Sequence, residues 1–65
     1  MIDTGEIVLM CRKGLHWTRP KLSEISGVGV PTILSVERNS DCKVSTFETL
    51  LEAMGYEIEI MRKEI

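Results

Sequence analysis

Few side chains in this chain have the chemistry to act on another molecule, and most of those stand alone. Cys11 and Cys42 are the two cysteines, and thirty residues lie between them. Asp3 and Glu6 interrupt the N-terminal stretch, and no basic-then-apolar leader run follows. Two reduced thiols in a cytoplasmic protein are therefore expected. His16 has no partner at metal-ligand spacing, so neither a metal nor a cofactor is expected. Gly27-Val28-Gly29 opens like a dinucleotide fingerprint, but no strand precedes it and Thr32 takes the third glycine position. No Ser/His/Asp, Cys/His or paired-carboxylate set comes together at persuasive spacing, and the chain is read as no enzyme.

What remains is charge, and it is divided along the chain. The net charge of −2 argues against a general nucleic-acid binder. Within residues 12–43, however, Arg12, Lys13, Arg19, Lys21, Arg38 and Lys43 face only Glu24, Glu37 and Asp41. The rest of the chain carries two bases against seven acids. An anionic partner is thus drawn to the middle and repelled by the ends. Trp17, Phe47 and Tyr56 are the only aromatics, too few for base-stacking platforms, and Trp17 is read as a core plug. No apolar run is long enough to span a bilayer.

Four helices are needed to position the basic middle. The first starts near Asp3 or Thr4, with Glu6 three residues after Asp3 as in a capping box. Ile7, Val8, Cys11 and Leu15 give it an apolar face, and 14–17 is its exit. His16 there is of a type that tolerates a left-handed backbone. Thr18 caps the second helix, Pro20 fits its first turn, Leu22 and Ile25 face inward, and Ser26-Gly27 stops it. A turn of about three residues leads to a third helix over 30–38, with Pro31 in its first turn and Ile33 and Val36 inward. After a polar loop over 39–43, Ser45 and Glu48 read as a second capping box. The helix they open runs through Phe47, Leu50, Leu51 and Met54 and ends at Gly55. The apolar period then changes to two: Tyr56, Ile58 and Ile60 alternate with Glu57 and Glu59, which predicts a strand over about 56–62. A lone strand must pair with something.

The stretch "TRPKLSEISGVGVPTILSVERN" resembles the helix-turn-helix of lambda-repressor-like proteins, the Cro/CI or XRE type. Thr18, Leu22, Gly27, Val28, Ile33, Val36 and Glu37 stand where that family's pattern places such residues. Leu15 and Trp17 fall at its passage from helix 1 to helix 2, and "FETLLEAMG" resembles its fourth helix. The resemblance covers about residues 4–58. It implies a mostly α, lambda-repressor-like four-helix domain, here a single domain over 1–65 with its helix-turn-helix at about 18–38 and a short C-terminal β-strand.

The resemblance also implies roles for residues. Glu37 is expected to form a structural ion pair with Arg12. Thr18, Arg19, Arg38, Asn39 and Lys43 are expected on DNA phosphates, Arg19 replacing a frequent glutamine at the start of helix 2. Gly29, Val30, Pro31, Thr32, Leu34 and Ser35 take the base-facing positions. Only Thr32 and Ser35 among them carry a side chain that hydrogen-bonds, so readout would rest on thymine methyls and DNA shape. The expected function is sequence-specific binding of double-stranded DNA by a small transcriptional regulator or repressor. It would act as a homodimer joined through Tyr56, Ile58 and Ile60 of the terminal strand. The alternative is an antitoxin, or another protein-interaction module on the same fold, with weak or lost base readout and a partner such as a toxin.

Overall fold

The structure, a computed structural model, describes residues 3–39 and 42–57. They form four helices, α1 (Thr4–Gly14), α2 (Arg19–Ser26), α3 (Val30–Asn39) and α4 (Val44–Ala53). A mostly helical fold is thus what the periodicity expressed. No strand occurs among the described residues, and the strand expected over 56–62 lies, from residue 58 onward, outside them.

Asp3 caps α1, its Oδ1 accepting from the Glu6 N–H at 2.8 Å. At the other end, the Trp17 N–H donates to the Arg12 carbonyl at 3.1 Å and the His16 N–H to that of Lys13 at 2.9 Å. These are the two bonds of a Schellman motif, with His16 at φ 59° in the left-handed position that glycine usually fills. The C-terminus of α4 repeats it with glycine: Gly55 sits at φ 90°, and the Tyr56 and Gly55 N–H groups reach the Leu51 and Glu52 carbonyls. Thr18 caps α2, accepting from the Lys21 N–H at 3.2 Å, and Pro20 needs no partner in the first turn. Gly27, at φ 78°, turns the chain out of α2, and only residues 27–29 separate α2 from α3.

α1 packs on α3 and α4, and α2 packs on the same two helices. Val8, Leu22, Ile33, Val36, Leu50, Leu51 and Met54 meet in the core, each adding about 1.5–3 kcal/mol of burial. Trp17, Val28, Cys11, Cys42 and Phe47 pack around it half-buried, so both thiols serve as small apolar side chains.

Three sequence expectations are corrected here. Ile25 does not face inward but is 45% exposed, and among the residues of α2 only Leu22 is buried in the core. Leu15, the C-cap residue of α1, is also exposed, at the point where the helix ends ahead of the left-handed His16. Ser45 and Glu48 do not cap α4: the helix starts one residue before Ser45, Lys43 is its N-cap, and no side chain caps it. The Ser45 carbonyl instead accepts from the Thr49 hydroxyl at 2.8 Å inside the helix.

Candidate functional site

Among the described residues, two arginines cluster on one carboxylate. Arg12, from the last turn of α1, donates Nε to Glu37 Oε2 at 2.7 Å and Nη2 to Oε1 at 3.1 Å. Its remaining Nη1 donates to the Trp17 carbonyl at 2.8 Å. The ion pair expected from the resemblance therefore forms, in the bidentate geometry a guanidinium favours. The carboxylate has a second partner that sequence reading missed: Arg19, the first residue of α2, donates Nε to Glu37 Oε1 at 2.9 Å. One side chain of α3 thus ties α1 and α2 together.

The three side chains differ sharply in exposure: Glu37 is 2% exposed, Arg12 9% and Arg19 38%. Burial by itself pushes the Glu37 carboxyl upward, but the hydrogen bonds and charges of Arg12 and Arg19 outweigh it and hold the group below its ordinary range. Two positive charges and one negative leave a surplus of one. Since Arg12 and Glu37 are enclosed, Arg19 is where that surplus meets solvent.

Elsewhere on α3, its outer edge forms one wall of a cavity of about 440 Å³. Pro31, Thr32 and Ser35 line it from α3, and Cys42, Lys43 and Thr46 from the start of α4. Three of the six residues expected to face bases and one of those expected on phosphate thus share one concavity. Gly29 is exposed at the turn, whereas Val30 and Leu34 are half-buried and offer less apolar surface than their types promise. Thr18 is exposed but already accepts from Lys21, and Arg38 and Asn39 are exposed at the end of α3, Asn39 as its last residue rather than in the loop.

No family model matches this chain, and the searches of curated proteins and of solved structures return no match.

Tyr56 of the expected dimer strand is half-exposed and belongs to no regular element. Its phenol is pushed above its ordinary range by the charge of, and a hydrogen bond with, Cys11 of α1. Ile58 and Ile60 lie outside the described residues. Among the described residues no three His, Cys, Asp or Glu side chains group to hold a metal ion, and no helix is long and apolar enough to cross a membrane. Cys42 and Thr46 in the cavity, and the Arg19 bond to Glu37, were the site features absent from the sequence reading. Eighteen residues separate Arg19 from Glu37, and no helical or strand period relates them.

Proposed function

We propose that this chain is a small DNA-binding regulator of the lambda-repressor-like kind, with α2, the turn over 27–29 and α3 as its helix-turn-helix. The observation that carries the reading is the concave edge of α3, where Thr32 and Ser35 stand with Lys43 across from them. Short hydroxyls and a lysine suit a polyanion with hydrogen-bonding edges better than an apolar protein surface. The exposed part of Arg19 and the exposed Arg38 extend the positive surface, while the acids concentrate toward the ends of the chain. Base recognition would be sparse in hydrogen bonds and would lean on thymine methyls beside Pro31 and on DNA shape. A homodimer would set two α3 helices on successive major grooves, about 10 base pairs apart.

The test is binding of the full chain to double-stranded DNA across a salt series. Phosphate contacts predict a linear fall of log affinity with log salt, with a slope of about −0.9 per contact. Absence of binding even at low salt would remove this reading. In a selected operator, replacing thymine by uracil should weaken binding, and unchanged affinity would remove the thymine-methyl component.

A further inference from the structure

We propose that Glu37 is a positioning residue for DNA binding, and that it acts by holding Arg19 with one guanidinium edge while the other is presented to a phosphate. The inference rests on the DNA-binding reading above and assigns Glu37 a role beyond its pairing with Arg12.

The argument starts from what each arginine has left to give. Arg12 spends Nε and Nη2 on Glu37 and Nη1 on the Trp17 carbonyl, and it is enclosed. Nothing of it is placed to meet an outside ligand. Arg19 reaches Glu37 through Nε alone, at 2.9 Å, and more than a third of its side chain stays exposed. A guanidinium is planar, so fixing Nε fixes the direction of both terminal nitrogens. An exposed arginine without such an anchor samples many rotamers and loses that freedom when it binds. Glu37 itself is immobilised by two bonds from Arg12, so it is a rigid support for Arg19. The electrostatics agree: the Arg12 charge neutralises the carboxylate, which leaves the Arg19 charge available to an anion. Arg19 is also the first residue of α2, and the positive end of that helix's dipole favours an anion at the same place.

Because phosphate contacts do not depend on sequence, a mixed-sequence duplex of about 30 base pairs at low salt is a sufficient probe. Arg19→Gln should lower affinity about tenfold and make the salt slope shallower by about 0.9. Glu37→Gln, studied below its melting temperature with its fold checked by circular dichroism, should do the same. The double variant should lose no more than either single one. A merely structural Glu37 would reduce the folded fraction without moving the slope. Arg19→Lys serves as the variant that leaves the Arg12–Glu37 pair in place: it keeps the charge but has no fork to engage both partners. It should lose most of the tenfold. If Glu37→Gln does not fold, Arg19→Lys decides alone. Wild-type affinity in Arg19→Lys, or an unchanged slope in folded Glu37→Gln, overturns the positioning role while DNA binding stands. Failure of the wild-type chain to bind the duplex overturns the DNA reading itself, and the positioning role with it.

Discussion

Arg12 joins the end of one helix to the side chain of another, using both its backbone and its side chain. Its carbonyl accepts from the Trp17 N–H, and its guanidinium grips the Trp17 carbonyl and Glu37. Removing one partner of an enclosed ion pair costs about 3–5 kcal/mol, a large share of what a domain of this size has. Glu37→Gln should therefore lower the melting temperature sharply. The same carboxyl sets an acid limit. Its folded pKa lies below the ordinary 4.5, so its contribution is complete above that value and is lost as pH falls through the folded one. Thermal melts should be level from neutral pH to about 5, then fall in stronger acid, and the acid fall should be smaller in Glu37→Gln. His16 offers the opposite change. It occupies a left-handed position at φ 59°, where a side chain costs about 1–2 kcal/mol. His16→Gly removes that cost and returns part of it as unfolded-chain entropy. A net rise of a few degrees in melting temperature is expected, and a fall would show that the imidazole makes a compensating contact.

The elements carry two further expectations. The turn between α2 and α3 depends on Gly27, where an added Cβ would meet nothing within 4 Å. The cost of Gly27→Ala is therefore backbone strain at φ 78°, about 1 kcal/mol, and Gly27→Asn should be milder. Equal denaturation midpoints for the two variants would contradict this. The N-terminus of α4 carries a lysine where a capping side chain would stabilise the helix. Lys43→Ser should raise stability by about 1 kcal/mol, read from urea unfolding, and under the proposed DNA-binding function it should weaken binding because the cavity loses its cation. A cap left unfilled at that position is what a binding role for Lys43 would require.

At the scale of the whole molecule, the proposed dimer depends on the C-terminal segment. A chain ending after Glu57 keeps the Tyr56 N–H on the Leu51 carbonyl and so keeps the close of α4. If residues 58–65 join two copies, gel filtration should show the full chain at twice the mass and the shortened chain as a monomer. Identical elution would remove the strand-paired dimer. Such a dimer would also bear on affinity, since two linked α3 helices would bind with a raised effective concentration.

Much of the fold was legible along the chain because it is governed by local chemistry. Asp3 and Thr18 cap, Pro20 and Pro31 start helices, and Gly27 and Gly55 end them, each through its own dihedrals or its own side-chain oxygen. The inward positions of Leu22, Ile33 and Val36 followed from spacing alone. Ser45 failed as a cap because α4 starts at Val44, before it, so that Ser45 lies inside the helix. The Arg12–Glu37 pair was expected from resemblance, but Arg19 joining it was not, since bonds across eighteen residues depend on how α2 lies against α3. The cavity between α3 and the start of α4 was equally beyond local reading. The sequence by itself determined where helices begin, turn and bury, because those are short-range steric and hydrogen-bonding facts. Tertiary structure alone decided which charges are shared and which face stays open, because both depend on distances between elements that no spacing along the chain encodes.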